Sequence, residues 1–375
     1  MTKKLEVAIA AGGTAGHINP ALALAEELTR RGHHVRFIGQ TDKLEGTLVP
    51  QAGFDFEPIH VMGFDRSRPW TLIQALAQIA KARGVLRRRF AELGMPDVAV
   101  GFGAYVELPL LDLCASRKVP VVIHEQNSVP GLANKVSAGK ATSVCLAFPQ
   151  ATPAFKDRIR KGAELVVTGN PVRTSVVSAS REAGRAAAGV ADDETLLLVF
   201  GGSLGARHVN EGVCALKDEL LARKGLRIVH STGKGEYDSV VEALALTPEE
   251  AARWQVKPYI DNMGEMLAAA DLVLSRAGAS SIAEIAALAA PAMLVPYPFA
   301  TADHQTTNAH YLVDAGAAVM VSDDAIGTAE FSDTLLGLVD DPARREAMRA
   351  AARGLAQDQA ASALADQVEK AAGIR

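Results

Sequence analysis

Two glycine-rich loops carry the residues best suited to hold a phosphate. Gly12-Gly13-Thr14-Ala15-Gly16 follows one apolar run, and Gly201-Gly202-Ser203-Leu204-Gly205 follows another in the second half of the chain. Glycines after a strand let backbone N–H groups approach an anion, and the next helix adds the positive end of its dipole. One such loop can equally be a tight corner, but two at matching places favour phosphate chemistry. His17 directly follows the first loop. A neutral imidazole there can take a proton from a hydroxyl, an effect worth about 10²–10⁴ in rate; it can equally cap a helix or bond a phosphate.

In the second half, Ser275-Arg276-Ala277-Gly278-Ala279-Ser280-Ser281-Ile282-Ala283-Glu284 follows an apolar run and opens a helix. Amides at its start suit a phosphate, and Glu284 can accept hydrogen bonds from both hydroxyls of a ribose. A capping box of Ser281 and Glu284 explains the same spacing without a ligand. Several chemistries are excluded. Neither loop has the G-x-G-x-x-G dinucleotide fingerprint, and Gly39-Gln40 stand where an acidic ribose ligand would be needed. Gly233-Lys234 resembles the end of a Walker loop, but Gly235 replaces Ser/Thr and Ile228 the first glycine. His124-Glu125-Gln126-Asn127, placed after a strand where side chains reach a binding site, is no zinc motif, because Ser128 stands at the second histidine position.

The elements that must position these residues alternate apolar runs with helical patterns, the mark of parallel sheets covered by helices. Strands are expected at Leu5–Ala10, His34–Ile38, Val98–Val100, Val119–Ile123, Ser143–Ala147 and Leu165–Val167, with a helix over Ala21–Arg31. Gly169-Asn170-Pro171-Val172-Arg173 breaks the pattern. It restarts with strands at Thr195–Phe200, Arg227–Val229, Leu272–Leu274, Ala292–Val295 and Ala318–Val321, and ends in a helical tail from Pro342. The expected fold is α/β: two Rossmann-like domains, 1–170 and 171–349, with parallel sheets facing a central cleft where ligands sit.

Composition agrees. The 375 residues are 49% hydrophobic and 22% charged, enough to bury two cores, and the formal net charge of −4 argues against general nucleic-acid binding. No apolar run is long enough to span a bilayer. Cys114, Cys145 and Cys214 stand far apart and read as buried thiols of a cytoplasmic protein. Arg66 to Phe90 interleaves Trp70, Leu72, Ile73, Leu76, Ile79, Val85, Leu86 and Phe90 with Arg66, Arg68, Lys81, Arg83, Arg87, Arg88 and Arg89. That pattern suits an anionic bilayer surface, or an ordinary surface helix with solvated arginines.

Taken together, the motifs resemble one family. The two glycine loops, with His17 and Ala206 at their ends, Gly101-Phe102-Gly103-Ala104-Tyr105-Val106, His124-Glu125-Gln126-Asn127, Gly169 to Arg173, Ser275 to Glu284, and Asp303-His304-Gln305 with Asn308-Ala309 look like successive signatures of the MurG family. Its members are inverting N-acetylglucosaminyltransferases that convert lipid I to lipid II in peptidoglycan synthesis. The resemblance spans nearly the whole chain and implies a GT-B fold whose final helix, about 350–375, packs back on the first domain. It implies that His17 deprotonates the C4 hydroxyl of the muramoyl sugar, which displaces UDP. Donor contacts carry over to Thr14, Ala15, Gly16, Asn127, Arg173, Ser203, Ile260 (uracil), Ala279, Ser280, Ser281, Glu284 (ribose) and Gln305 (sugar hydroxyls). Tyr105 and Asn134 match acceptor positions. No metal and no other cofactor is implied, since helix N-termini and arginine can stabilise the leaving pyrophosphate. The implied partners are UDP-N-acetylglucosamine, lipid I and the anionic inner-leaflet surface, with cell-wall synthesis proteins as possible partners and no nucleic acid. The implied location is the cytoplasmic face of the cell membrane, held peripherally. Some positions depart from the family pattern: Ala15 and Ala104 replace glycines, Glu107-Leu108 stand where small residues are common, and Thr306 stands where some relatives have a second glutamine. Two other readings keep the two-domain fold: a UDP-sugar epimerase, and a nucleotide-sugar-binding regulator without catalysis.

Overall fold

The structure, a computed structural model, describes residues 3–63, 70–202, 205–355 and 359–374, with Thr301 described by its backbone alone. The chain divides into two compact units, Met1–Arg173 with Gln359–Arg375, and Thr174–Asp358.

Unit 1 is built on a seven-stranded sheet of β1 (Glu6–Ala10), β2 (His34–Gly39), β3 (Asp55–Pro58), β4 (Val98–Gly101), β5 (Val121–Glu125), β6 (Ser143–Leu146) and β7 (Glu164–Val167). The order is β3-β2-β1-β4-β5-β6-β7, and every pair is parallel. Continuous apolar runs such as Val98-Ala99-Val100 are the expected consequence, because helices cover both faces of such a sheet. β3 has no such run; Asp55 and Glu57 break its pattern, and pairing against β2 makes it an edge strand.

The first helix covers Ala15–Arg30, six residues earlier than the helix expected at Ala21–Arg31. Pro20 suggests a start, yet it lies inside the helix: a proline in the early turns removes one N–H and displaces little else. His17 therefore sits in the first helical turn.

The tail divides between the units. Helix Pro342–Arg353 stays on unit 2, where Met348 joins the core and buried Arg345 donates to the carbonyls of Leu338 (2.6 Å) and Val339 (2.5 Å). Helix Ala360–Ala371 belongs to unit 1. Leu364, Ala365 and Val368 join Leu24, Leu28 and Val35 in its core. Arg31 bridges Asp366 (2.6 Å) and Glu369 (2.8 Å), and His33 Nε2 meets Glu369 Oε1 at 2.9 Å.

Unit 2 repeats the plan with β8 (Thr195–Phe200), β9 (Leu226–Ser231), β10 (Trp254–Lys257), β11 (Leu272–Ser275), β12 (Ala292–Leu294) and β13 (Ala318–Met320), all parallel, in the order β10-β9-β8-β11-β12-β13. In both sheets the order reverses beside the first strand of the unit. Loops after β1 and β4, and after β8 and β11, thus flank a topological switch point, where open α/β sheets bind ligands. The three cysteines are free thiols; burial pushes Cys114 and Cys145 up to about 12 and Cys214 to about 11, which leaves them unreactive.

Candidate active site

In unit 1, the loop after β1 ends at Thr14, whose extended backbone opens the Ala15–Arg30 helix. Thr14 Oγ1 lies 3.1 Å from His17 Nδ1, a contact that orients the ring. The loop is fastened from beneath by Glu45, a fully buried carboxylate: Oε2 accepts the Gly13 N–H (3.0 Å) and Oε1 the Gln40 N–H (3.2 Å). A Cβ on Gly12 would strike that carboxylate, and Gly13 has φ +86°, so both glycines are required by geometry.

Two more buried carboxylates fasten the neighbouring loops. Glu107 accepts the N–H of Gly103 (2.6 Å) and the hydroxyl of Ser137 (3.0 Å). Burial pushes its acid up to about 8, so it is largely protonated at neutral pH. Glu125 accepts the N–H groups of Asn127 and Gly131, both at 3.0 Å, and the amide of Asn134 at 2.9 Å. Burial raises it too, against those hydrogen bonds. His124 is fully buried and pushed down to about 4; Nε2–H donates to the Gly169 carbonyl (2.9 Å) while Nδ1 accepts from Gln126 (3.1 Å).

These contacts correct the expectation that the side chains of His124 to Asn127 all reach the binding surface. His124, Glu125 and Gln126 are buried, and Asn127 alone of the four is partly exposed, because the strand continues to Glu125 and the segment folds onto the 131–134 turn. Asn134 is fully buried, its amide shared between the His124 carbonyl and Glu125. Tyr105 is half-buried against Gly63. Arg173 Nε donates to Glu26 Oε1 on the first helix at 2.9 Å, so its guanidinium already has an anionic partner.

In unit 2, the helix after β11 runs Ala279–Ala287 with Gly278 as its cap residue. Ser281 is the third helical residue, so the capping box with Glu284 does not form. Ala279, Ser280 and Ser281 occupy the first turn, where helix amides face outward, and Glu284 lies one turn further along. The preceding residues are held rigidly. Gln305 Oε1 accepts the N–H groups of Ala277 (3.1 Å) and Tyr297 (2.9 Å), and Asn308 donates to the Ala277 carbonyl (3.3 Å). Arg276 is buried beneath, bonded to the carbonyls of Val295 and Pro296 and to Asp323. Burial works to raise Asp323, yet its bonds to His208 and Arg276 hold it below the usual carboxylate range. Ala302 and Asp303 both adopt left-handed φ (53° and 52°), a strained entry to the helix carrying Gln305. Ile260 is buried after β10. Ser203, with Arg66 and Arg68 of the basic stretch, lies outside the described residues. Among the described residues, no three His, Cys, Asp or Glu side chains converge as a metal site would require.

Two family models match successive parts of the chain. The description "glycosyltransferase family 28 N-terminal domain" matches residues 7–146, and "glycosyltransferase family 28 C-terminal domain" matches 196–368. A relative from Halothermothrix orenii, named UDP-N-acetylglucosamine--N-acetylmuramyl-(pentapeptide) pyrophosphoryl-undecaprenol N-acetylglucosamine transferase, is 37% identical over 98% of this chain and 99% of its own. The chain belongs to the MurG family of glycosyltransferases. A relative of the same name from Salinibacter ruber is 39% identical over 98% of this chain and 97% of its own. The crystal structure of Acinetobacter baumannii MurG superposes with a TM-score of 0.73 at 30% identity, covering 98% of this chain and all of that one. A UDP-GlcNAc 2-epimerase from Neisseria meningitidis reaches 0.68 at 11% identity, a likeness of fold alone. The two parallel α/β units are those of a GT-B glycosyltransferase, as the resemblance implied.

Sequence reasoning on this MurG-family chain missed Glu45 and the true function of Gln305's carbonyl oxygen as a clamp. Glu45 lies 32 residues from Gly13, and no local pattern joins them. Glu107 did carry a signal, as a carboxylate where small residues are common, and its place beneath Gly103 explains it.

Proposed function

We propose that this enzyme transfers N-acetylglucosamine from UDP-N-acetylglucosamine to the C4 hydroxyl of the muramoyl sugar of lipid I, giving lipid II for peptidoglycan synthesis. The observation that carries the reading is identity of 37–39% over 97–99% of the length of relatives bearing that name. His17 is the general base, its ring oriented by the contact of Nδ1 with Thr14. The attack is a single inverting displacement in which the hydroxyl oxygen bonds the anomeric carbon as the bond to UDP breaks.

The donor is held by unit 2. The first turn of Ala279–Ala287, with Ser280 and Ser281, meets the diphosphate; Glu284 takes the ribose hydroxyls and Ile260 the uracil. Ser203 adds to the phosphate contact, and Arg173 joins by sharing or leaving Glu26. Gln305 reaches the sugar through its amide nitrogen, its oxygen being committed to Ala277 and Tyr297. Thr14, Ala15, Gly16 and Asn127 complete the donor contacts. Tyr105 meets the acceptor, and Asn134 supports it through Glu125 and the 127–131 turn.

The acceptor is lipid-linked, and one surface of unit 1 suits a bilayer. Helix Thr71–Leu93 begins beside Trp70 with Leu72, Ile73 and Leu76 all exposed, Ile73 by 74%, while Ala75, Ala82, Leu86 and Phe90 face the core. Lys81, Arg87 and Arg88 are exposed on the same helix, whereas Arg83 pairs with Asp112 and Arg89 with Glu57 and Glu92. Apolar anchors beside solvated cations bind anionic lipid. No helix among the described residues is long and apolar enough to cross a membrane; docking would be peripheral, on the cytoplasmic face. Replacing Arg87 and Arg88 with Glu should lower co-sedimentation with anionic vesicles about fivefold or more, on the scale of about 1 kcal/mol per basic residue. Equal sedimentation would remove the patch from the reading.

The deciding experiment incubates the protein with radiolabelled UDP-N-acetylglucosamine and a lipid I analogue, with and without chelator. Label should pass to the lipid fraction under both conditions. Turnover of the nucleotide sugar without acceptor would favour an epimerase, and binding without turnover a regulator.

A further inference from the structure

Gly233-Lys234-Gly235 has a glycine-lysine pair in a phosphate-binding style, yet lacks the rest of a Walker loop. Its place in the fold gives it another use. The turn follows β9, which pairs directly with β8, so it stands one strand spacing, about 4.8 Å, from the end of the strand that feeds the second glycine loop. The two loops touch. Gly205 (φ +79°) lies against the turn so closely that a Cβ would collide with the Thr232 carbonyl and come within 3.2 Å of Gly233 Cα.

A buried polar chain holds the turn in place. His230 Nε2–H donates to Asn210 Oδ1 (3.0 Å), and the Asn210 amide donates to the Thr232 carbonyl (3.0 Å). Thr232 N–H is fixed to the Lys257 carbonyl (3.0 Å), its hydroxyl to the Gly233 carbonyl (3.0 Å). Burial pushes His230 down to about 4, so it stays neutral and the chain keeps one polarity. Gly233 then turns through φ +86° and presents Lys234 to solvent. The nearby cation Arg207 is paired with Glu211 at 2.9 Å and also feels Glu236. Lys234 has no ion pair or hydrogen bond among the described residues. A rigid, buried scaffold that displays one uncommitted ammonium beside a glycine loop has the form of an anion contact.

We propose that Lys234 binds the terminal phosphate of the nucleoside diphosphate and stabilises the charge that gathers there as the sugar departs. This rests on the donor reading of unit 2 given above. Lys234 donates a hydrogen bond to a phosphate oxygen and gives up no proton, so the displacement remains a single step.

The test titrates the full chain, K234M and K234R with UDP and with UMP, and measures transfer to a lipid I analogue. K234M should bind UDP about tenfold more weakly, as loss of a charge-assisted bond predicts, with UMP affinity unchanged and kcat lowered at least about tenfold. K234R should recover UDP affinity to within about threefold. Unchanged UDP affinity in K234M overturns the proposal, and so does an equal loss for UMP, or a K234R as weak as K234M, since each assigns the effect to loop shape. A parent that binds UDP while K234M binds it equally well leaves the donor reading intact; a parent that binds no UDP ends both.

Discussion

The same mechanical problem is solved twice in this molecule with opposite electrostatics. In unit 1 a loop after β1 is clamped by Glu45, whose two oxygens receive the amides of Gly13 and Gln40. In unit 2 the loop after β11 is clamped by Gln305, whose single oxygen receives the amides of Ala277 and Tyr297. Geometry alone does not separate the two, since a carboxylate and an amide are nearly isosteric. Charge does. A fixed anion beside the first turn of Ala279–Ala287 would repel a diphosphate and neutralise the positive helix end proposed to hold it, whereas unit 1 carries three buried acids beneath its loops. Glu107 goes part of the way to the amide solution by remaining protonated near neutrality.

The contrast can be pressed from both sides. His17→Ala should lower transfer at least about a hundredfold while UDP affinity stays within about twofold, because the proposed base lies in unit 1 and the proposed uridine and ribose contacts lie in unit 2; undiminished turnover would strip His17 of the role. Gln305→Glu puts the unit 1 solution into unit 2. It should weaken UDP binding about tenfold or more at low salt, less at high salt, with little change in the denaturation midpoint. Calorimetry showing equal affinity for the variant and the parent would mean that clamp charge is irrelevant there.

Glu107→Gln makes the reverse exchange, and its effect is confined to a pH window. The folded acid titrates near 8 and the unfolded one near 4.5, so the native state binds the proton more tightly. That contribution to stability is complete below pH 4.5 and is lost as pH rises toward 8. The variant, which cannot ionise, should equal or trail the parent at pH 5 and gain on it by pH 8. Urea midpoints that move in parallel across that range would refute a raised acid.

Much of this was legible in residue order. Apolar runs of Val, Ile and Leu placed eleven of thirteen strands, since strands buried on both faces cannot hide their composition. The other two, β3 and β10, each lie at one edge of their sheet, where Asp55, Glu57, Gln255 and Lys257 interrupt the apolar run, while β7 and β13 at the opposite edges keep enough of theirs to be read. The glycine loops and Ser275–Glu284 were visible because backbone conformation constrains residue type locally. The clamps were not, because Glu45 and Gln305 act on amides 32 and 28 residues away through folded space. Helix starts were ambiguous where two signals competed. The first helix begins at Ala15, six residues before the expected start, with Pro20 inside it, and the Ser281–Glu284 pair imitated a cap whose place Gly278 holds.

The chain leaves unit 1 at Arg173 and re-enters it at Gln359, and Leu364, Ala365 and Val368 are wholly enclosed there. Synthesis therefore finishes the later unit first. Once Asp358 has been added, unit 2 has all its residues, while the earlier unit still lacks the helix that receives Arg31 and His33. A chain that stops before Gln359 would keep unit 2 whole and leave the unit that carries His17 with an open apolar flank.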